Sequence, residues 1–372
     1  MEPSCHLPRM SWDKLLSTKR FGQESYHDER HHARSEFQRD YDRLIFSSPF
    51  RRLQNKTQVF PLPGSIFVHN RLTHSLEVAC VGRSLASQVA TRLHAKYAHE
   101  PWISKLDEIG GIVSAACLAH DLGNPPFGHS GEKAITSYFS EGEGLNMKEF
   151  LSRQEWCDLT HFEGNANSLR LLTHQFNGRR EGGFALTYST LAAIVKYPYP
   201  SSLAGDKLKF GFFSAEEESY RRIADELGIL KDPDEPNRYR RHPLVYLVEA
   251  ADDICYQIMD IEDAHKLKLL TTAETQNLFL QFCSESRYQR IIDTLGIVDD
   301  INEQIAYLRS CVIGILVNEC VDAFISHEEE LLSGTLKQPL ISLISEKPNK
   351  AYQHCTQTAW DRLYRSSDVV DI

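Results

Sequence analysis

A histidine and an aspartate stand next to each other at the end of an apolar stretch of this chain. His120 and Asp121 directly follow GIVSAACLA, residues 111–119, which would be apolar on nearly every side of a helix. An ionised carboxylate in such surroundings is strongly unfavourable unless a metal ion or an opposite charge compensates it. Imidazole and carboxylate together are suitable ligands for divalent Mn, Fe, Ni, Co or Zn, and carboxylate also accepts Mg. The pair therefore indicates either a metal site or a structural His–Asp hydrogen bond.

Two more polar residues interrupt predicted apolar helix faces. His74 lies in a segment, residues 73–96, whose apolar residues recur at i, i+3 and i+4. Asp252 interrupts an apolar stripe on a predicted helix of residues 243–265. A hydrogen-bonded core histidine or a buried cap explains either residue alone. Together with the first pair they supply two histidines and two aspartates from three helices, which fits one divalent metal with positions left open for water or phosphate.

Helical patterns dominate the elements that must position these residues. Amphipathic segments predict further helices at residues 163–175, 272–295 and 302–332, and the chain shows no repeat of fixed period. Residues 58–67 and 207–213 are short pieces that could form small β-hairpins, and DPDEPN at 232–237 predicts a loop. The sequence thus predicts an all-α fold, a large helical body with minor β-hairpin excursions, in which residues 1–372 form a single interwoven unit.

The composition excludes several classes of protein. The 372 residues carry 41 Lys+Arg against 51 Asp+Glu, a net charge of −10, which argues against a dedicated duplex-binding protein. The nine cysteines form no CxxC pair, which fits a reducing cytoplasm. The N-terminus lacks a secretory signal pattern, and the longest apolar run, residues 311–317, is far shorter than the roughly 20 residues that span a bilayer. We therefore expect a cytoplasmic protein without a membrane anchor.

The first sixty residues reverse the sign of the net charge. They contain 11 Lys+Arg and 8 Asp+Glu, and most of this basic charge is predicted to lie along one helix, at Arg39, Arg43, Arg51, Arg52 and Lys56. Such a stretch can bind an anionic ligand, although a solvated helix face or a subunit contact explains it at least as well. The nearby cluster of His27, Asp28, His31 and His32 has metal-ligand chemistry, but its highly charged surroundings are typical of an exposed segment.

Several motifs appear in the order known from one protein family. They are RLTHSLEVA, HDLGNPPFGHSGE, FEGNANSLRLL, KYP and EAADDICYQIMDIEDA, preceded by DRLIFSSPFRRLQNKTQVFPLPG. Over residues 41–264 the chain resembles the HD-superfamily deoxynucleoside-triphosphate triphosphohydrolases of the dGTPase type. The resemblance implies an HD catalytic core at about residues 41–266 and a C-terminal helical region at about 267–372. It also implies one divalent metal, bound by His74, His120, Asp121 and Asp252.

The reaction implied by this resemblance is metal-dependent hydrolysis of a dNTP, either dGTP or several dNTPs, to a deoxynucleoside and inorganic triphosphate. Water attacks the α-phosphorus, and the metal would be Mn, Mg or another first-row ion such as Ni, Co, Fe or Zn. The family further implies a homo-oligomer, by analogy a hexamer, and in some members a second dNTP as activator. Nothing in the sequence supports single-stranded nucleic acid as an effector. We expect relatives to continue beyond SSDVVDI with helical sequence that adds arginines to the nucleotide pocket.

A second histidine and a glutamate follow the His–Asp pair. His129 lies nine residues after His120, beyond two prolines, and Glu132 follows it at i+3. The departing 5′-oxygen needs a proton, which a positioned histidine can supply. The resemblance implies that His129 transfers this proton and that Glu132 tunes it. The alternative for Glu132 is an acid in the first turn of a helix, where it complements the helix dipole.

Candidate substrate contacts lie on the helix of Asp252 and in the other motifs. Asp252, Tyr256 and Asp260 fall at i, i+4 and i+8 and so share one helix face. The resemblance implies that Tyr256 packs where a ribose 2′-OH would lie, and that Asp260 and Gln54 hydrogen-bond the 3′-OH. The candidates for binding the triphosphate are Arg71, Asn165, Lys196, Tyr197 and Lys209. Asp253 is the nearest rival of Asp252 as metal ligand, but the apolar stripe favours Asp252.

Two other functions are compatible with part of this pattern. Another HD nucleotidase or phosphodiesterase would keep the four metal ligands without needing Gln54, Tyr256 or Asp260. A nucleotide-sensing or nucleic-acid-binding regulator without catalysis would be expected to have lost His129 or a ligand, and this sequence retains them. The whole set of motifs therefore favours a dNTP triphosphohydrolase.

Overall fold

A computed structural model describes residues 8–25, 34–58, 69–178, 181–205 and 208–365 of the chain. Within these residues the fold is all-α and contains no β-strand, which confirms the predicted fold class. In chain order the first α-helices are α1 (Trp12–Leu15), α2 (Glu36–Ile45), α3 (Ser48–Arg52), α4 (Arg71–Lys96), α5 (Ile109–Ala119), α6 (His129–Ser140), α7 (Arg153–Thr160) and α8 (Gly164–Thr173). They continue with α9 (Tyr188–Ile194), α10 (Glu217–Leu227), α11 (Val245–Lys266), α12 (Thr272–Leu280), α13 (Glu285–Leu295), α14 (Ile301–Ser326), α15 (Glu328–Ser333) and α16 (Glu346–Ala359).

Short helical turns connect several of these helices. The 3₁₀ turns lie at Leu53–Asn55, Ile103–Glu108, Glu143–Phe150, Ser201–Leu203, Ser214–Glu216 and Leu340–Ser342. A π-helical turn, Trp360–Tyr364, directly follows α16. In the described part of the chain, no helix combines the length and the apolarity that a bilayer span requires.

The helices α4, α5 and α11 form the centre of the molecule. Nearly every residue of α5 is buried, because its sequence offers no polar face that could lie in water. α4 and α11 both pack on α5 and on each other, while α2, α9 and α14 cover the outer sides of this group. Each large apolar side chain buried in this way contributes roughly 1.5–3 kcal/mol, so the central helices are held firmly. The site residues that they carry are positioned by this packing.

Local sequence signals fix where these helices begin and end. Asn70 caps α4 by accepting from the backbone N–H of Thr73, whose side chain accepts from Asn70 in return. α5 ends at Ala119, and the two prolines of the following loop cannot continue a helix. Phe127 and Gly128 then both adopt positive φ, 64° and 54°, before α6 starts. This reversal places His129 at the first position of α6.

The C-terminal helices cover the same central group. α14 packs against α4, α11 and α12, and α16 packs against α11 and α12. The predicted C-terminal region therefore lies directly on a helix of the predicted catalytic core. Both the single interwoven unit and the boundary near residue 266 stay predictions.

Two of the predicted helices are divided, so their predicted extents were wrong. Residues 272–295 form α12 and α13, which are separated by a turn that buries Phe282 and Cys283 and ends at the N-cap Ser284. Residues 302–332 form α14 and α15, which are separated at His327, where the backbone leaves helical geometry with φ −107° and ψ 20°. In both cases the apolar residues continue across the break, so their spacing alone cannot reveal it.

The predicted hairpin at residues 207–213 is absent from its described part, residues 208–213. Phe210, Phe212 and Phe213 are all buried there, instead of alternating between core and solvent as in a half-buried strand. The segment makes one isolated bridge, between Phe212 and Pro200. Of the other predicted hairpin, residues 58–67, only Gln58 lies within the described residues.

The basic N-terminal residues are not on one helix as predicted. Arg39 and Arg43 lie on α2, whereas Arg51 and Arg52 lie on α3, which Ser47 caps separately, and Lys56 lies beyond both. Ser47 and the proline in the first turn of α3 are the local signals for this new helix start. The cluster of His27, Asp28, His31 and His32 lies outside the described residues.

Candidate active site

A cavity of about 370 Å³ opens where α4, α5, α6, α8 and α11 meet. Most of the residues that the sequence selects line it, namely Arg71, His74, His120, Asp121, His129, Glu132, Asn165, Lys196, Tyr197, Lys209, Asp252 and Tyr256. Asp260 and Gln54 are not part of this lining. The cavity therefore collects side chains that lie far apart in the sequence.

Four of the lining residues surround one point at its base. The ligand atoms of His74, His120 and Asp121 all lie within 4.8 Å of one another. Asp252 joins them from α11, with its Oδ1 at 3.0 Å from His74 Nε2 and at 3.5 Å from His120 Nε2. Asp252 lines the cavity whereas the rival Asp253 does not, in agreement with the helix register inferred from the sequence.

The hydrogen bonding of His120 shows which of its two ring nitrogens carries a lone pair that could bind a cation. Its Nδ1 lies 2.6 Å from the carbonyl oxygen of Cys117, and because a carbonyl only accepts, Nδ1 must carry the proton. Its Nε2 is buried, has no hydrogen-bond partner in the part of the chain that the structure describes, and lies near both Asp121 and Asp252. An imidazole lone pair between two carboxylates fits a divalent cation, and the backbone bond to Nδ1 orients the ring as is usual for metal-binding histidines.

The electrostatics of these groups agree with a cation site. Burial lowers the pKa of His120, but the charges of Asp121 and Asp252 outweigh it and raise this pKa to about 9. Burial raises the pKa of Asp252, but His120 and His74 hold it well below its ordinary value. The charges of His120 and Arg71 likewise outweigh burial and lower the pKa of Asp121, so both carboxylates are ionised and can bind a cation.

Hydrogen bonds hold both carboxylate oxygens of Asp121. Arg71 donates from Nη1 to Asp121 Oδ2 at 2.7 Å, and Asn124 donates to Asp121 Oδ1. Arg71 in turn lies against the loop before α6, where a Cβ on Gly128 would come within 2.8 Å of Arg71 Nη2. Glycine at position 128 thus serves both the positive φ and the close approach of the arginine.

His129 and Glu132 form a pair at the rim of the cavity. His129 Nδ1 lies 2.7 Å from Glu132 Oε2, and the His129 side chain is 80% exposed. The other oxygen of Glu132 accepts from the backbone N–H of Gly164 at 2.8 Å, in the first turn of α8. Burial raises the pKa of Glu132, but the bonds from His129 and Gly164 and the charge of Lys209 hold it below its ordinary value. An ionised Glu132 therefore accepts from Nδ1–H and leaves His129 Nε2 available for proton transfer.

The two lysines of the cavity already have acidic partners. Lys196 lies 2.9 Å from Glu249, which also binds Arg241 at 3.1 Å. Lys209 lies 2.8 Å from Glu163, the N-cap residue of α8. Burial lowers the pKa of Lys196, but Glu249 outweighs it and raises this pKa, so Lys196 carries its charge at neutral pH.

Sequence reasoning missed these glutamates, and they change the charge of the cavity. Among the described lining residues, three are Lys or Arg and five are Asp or Glu. Asn165, selected as a phosphate donor, also binds Glu163, at 2.7 Å from its side-chain nitrogen. The only sequence signals were that Glu163 lies in FEGNAN and that Glu249 stands one helical turn before Asp252. Neither signal shows which lysine each glutamate meets.

The structure separates the three residues that were expected to contact the sugar. Tyr256 lines the cavity, whereas Asp260 is buried beside it on α11. Gln54 is exposed in a 3₁₀ turn outside the lining, so the structure does not bring it to the cavity. Gln58, four residues later, does line the cavity, and among the described residues its buried Oε1 has no hydrogen-bond partner.

Known proteins are similar to the segments that line the cavity and to most of the rest of the chain. The sequence pattern of the HD domain matches residues 71–197. A "Deoxyguanosinetriphosphate triphosphohydrolase-like protein" of Pseudomonas aeruginosa (strain LESB58) is 41% identical over 367 residues, which cover 96% of this chain and 80% of that protein. A protein of the same name from Synechocystis is 38% identical over 91% of this chain and 77% of its own length.

A relative without the suffix "-like" in its name is also similar. The "Deoxyguanosinetriphosphate triphosphohydrolase" of Yersinia enterocolitica is 32% identical over 377 residues, covering 88% of this chain and 72% of that protein. These similarities extend well beyond the HD segment and include α11, the helix that carries Asp252 and Tyr256. The chain therefore belongs to the HD-domain family of deoxyguanosinetriphosphate triphosphohydrolase-like proteins, a family of phosphohydrolases.

Proposed function

We propose that this protein hydrolyses a deoxynucleoside triphosphate to the deoxynucleoside and inorganic triphosphate. The observation that carries the proposal is that the four metal-ligand side chains and the His129–Glu132 pair line one cavity, together with Tyr256. A metal centre alone would fit many phosphohydrolases. The adjacent tyrosine and proton donor fit attack at the α-phosphorus of a deoxynucleotide.

The metal would be held by His74, His120, Asp121 and Asp252. A divalent ion bound there would neutralise phosphate charge and lower the pKa of a bound water. The guanidinium of Arg71 donates a hydrogen bond of 2.7 Å to Asp121 and keeps this carboxylate in place. The main role of Arg71 is therefore to orient a metal ligand, and binding of phosphate is its second role. Mn and Mg are the ions to test first, followed by Ni, Co, Fe and Zn.

We assign proton transfer to His129. Its Nδ1 is held by the ionised Glu132, so its Nε2 can give a proton to the 5′-oxygen as the bond to the α-phosphorus breaks. The first-turn position of Glu132 in α6 also suits the helix dipole, and both roles need the same ionised carboxylate.

We assign the triphosphate to the side of the cavity that carries the lysines. Lys196, Tyr197, Lys209 and Asn165 lie there, and a bound triphosphate would share Lys196 with Glu249 and Lys209 with Glu163. For the sugar, Tyr256 is the residue that excludes a 2′-OH, and Asp260, one turn later on α11, is assigned to accept from the 3′-OH. Gln58 replaces Gln54 as the amide that meets the same hydroxyl. Gln58 is favoured because its buried Oε1 has no partner among the described residues.

The decisive experiment is product analysis with purified protein and Mn or Mg. All four dNTPs are supplied singly and in pairs, since a second dNTP could act as activator, and the matching NTPs serve as controls. We expect triphosphate from at least one dNTP and none from its NTP. Pyrophosphate or single phosphate as the product would instead indicate another HD nucleotidase or phosphodiesterase.

Two substitutions on α11 separate the metal from the sugar. We expect Asp252→Asn to abolish metal binding, because it removes an ionised ligand that lies 3.0 Å from His74. Tyr256→Ala should leave metal binding intact and mainly increase the relative rate with NTPs. Metal titration of both variants checks this, and equal metal loss in both would contradict the assignment.

The assembly and location of the protein are also proposals. We infer a homo-oligomer, by family analogy a hexamer, acting in the cytoplasm. Sedimentation of the purified protein with and without dNTP measures the first, and a monomer under both conditions would contradict it.

A further inference from the structure

The C-terminal helix α16 is attached to the catalytic helix α11 by polar contacts that repeat along both helices. Tyr352 donates from its hydroxyl to the carbonyl oxygen of Asp253 at 3.1 Å. One turn later, Thr356 donates to the side chain of Gln257 at 2.8 Å. At the π-helical turn after α16, Tyr364 donates to Asp260. The two helices therefore run in parallel register, and the last of these contacts reaches the face of α11 that carries Tyr256.

Tyr364 contacts both of the α11 residues to which we assign sugar recognition. Its ring lies 6.2 Å from the ring of Tyr256, centroid to centroid, with the two planes only 19° apart. Its hydroxyl donates to Oδ2 of Asp260, a residue that is only 4% exposed. One side chain of the C-terminal turn thus holds the two neighbours in a fixed relation to each other.

The bond to Asp260 has a chemical consequence. A donor on one carboxylate oxygen fixes the orientation of the group and leaves the other oxygen as an acceptor. Burial raises the pKa of Asp260 to about 7, and the bond from Tyr364 opposes this rise. The phenol therefore favours the ionised form, which is the form that accepts a hydrogen bond from a sugar hydroxyl most strongly.

We propose that Tyr364 is a positioning residue for sugar recognition, which orients Asp260 and Tyr256 so that the C-terminal turn contributes to selection of the substrate's 3′-OH. This inference rests on the proposed function, because it assumes that the α11 residues meet the sugar. It adds a residue from the C-terminal part of the chain to a site that the HD segment alone would not complete.

The test compares Tyr364→Phe with the unchanged protein on two substrates. One is the preferred dNTP, and the other is its 2′,3′-dideoxy counterpart, which lacks the 3′-OH. We expect KM for the dNTP to rise about five- to tenfold, as for loss of a hydrogen bond to a charged group, with kcat within about twofold. KM for the dideoxy substrate should stay nearly constant. In an Asp260→Asn background, Tyr364→Phe should have no further effect.

The matched control is Thr356→Val, which removes the preceding bond between α16 and α11 without touching Tyr256 or Asp260. It should leave the ratio of the two KM values unchanged. An equal rise of KM on both substrates, or the same change of ratio in Thr356→Val, would mean that Tyr364 only holds the helix, and would overturn the inference. Failure of the unchanged protein to release triphosphate would instead refute the proposed function.

Discussion

On the metal side of the cavity the acidic groups face histidine rings, whereas on the lysine side each lysine lies against a glutamate. The metal side consists of His74, His120, Asp121 and Asp252, and the buried Nε2 of His120 accepts no hydrogen bond from any residue that the structure describes. The lysine side consists of Lys196 with Glu249 and Lys209 with Glu163, and both pairs are closer than 3 Å. The first group therefore offers ligands to a cation, whereas each lysine of the second group already has an acidic partner.

This difference indicates how a triphosphate would be bound. Among the described lining residues the acids outnumber Lys and Arg by five to three, so the protein alone offers a polyanion little attraction. A divalent ion would supply the missing positive charge and would also sit beside the scissile phosphate. The lysines would then adjust the orientation of the substrate more than its overall affinity. Four predictions test this division, from the largest expected effect to the smallest.

Removal of the metal should have the largest effect. With a chelator present, we expect activity to fall by at least about 10⁴-fold, since metal charge stabilisation is worth several kcal/mol. Nucleotide binding should weaken as well, because the acidic excess of the cavity is then uncompensated. Parallel measurement of turnover and of the dissociation constant, before and after metal is restored, checks both. Equal nucleotide affinity with and without metal would show that the lysine side binds the triphosphate by itself.

Loss of the proton donor should have the next largest effect. We expect His129→Ala to reduce kcat by about 10²- to 10⁴-fold, the usual contribution of general acid catalysis. The exposed ring makes no core contacts, so metal affinity and thermal stability should stay the same. Glu132→Gln is the milder companion, which should reduce kcat by a smaller factor because the carboxylate that orients the imidazole through Nδ1 is removed. A His129→Ala variant that also loses metal would place this residue on the metal side.

The metal side could be predicted from the sequence because each of its residues breaks a local pattern. His120 and Asp121 end a helix with no polar face, and His74 and Asp252 interrupt apolar stripes, so the sequence places all four on inward-facing sides of their helices. In the structure His74 and Asp121 are buried, whereas the side chain of Asp252 is 36% exposed. The all-α fold follows from the same periodicity. The division of long helices at Ser284 and His327 was missed, since apolar spacing continues across both breaks.

The lysine side could not be predicted in the same way. Lys196 and Glu249 come from different elements, and a charge on a predicted surface does not reveal its partner. Gln54 and Gln58 stand in one short segment, where a 3₁₀ turn leaves the first exposed and the second at the cavity. Pairing and loop direction depend on tertiary packing, which spacing along the chain does not encode.

Removal of a lysine tests how much the lysine side contributes. We expect Lys196→Met to raise KM about tenfold, the value of one charge-assisted hydrogen bond, with a smaller change in kcat. The effect should shrink as salt is added, because charges that face solvent are screened. Lys209→Met is the matched variant on the other pair and should behave alike. Kinetics at low and high ionic strength provide the measurement, and a thousandfold loss would contradict the division between the two sides.

Removal of the charge of Glu249, the acidic partner of Lys196, should change KM by a smaller factor and in the opposite direction. Glu249→Gln keeps the shape of the side chain but removes one of the five acidic charges of the cavity, which frees Lys196 and Arg241 to attract phosphate. We expect KM to fall by about threefold at low salt, as for one partly screened charge several ångströms away.

The matched control is Glu262→Gln, because Glu262 lies on the same helix and also pairs with a lysine and an arginine, but outside the cavity lining. Both variants should lose similar thermal stability, and only Glu249→Gln should change KM. A rise of KM in Glu249→Gln would mean that the glutamate orients Lys196 for the substrate, so that the paired state, not the free lysine, is the one that binds phosphate.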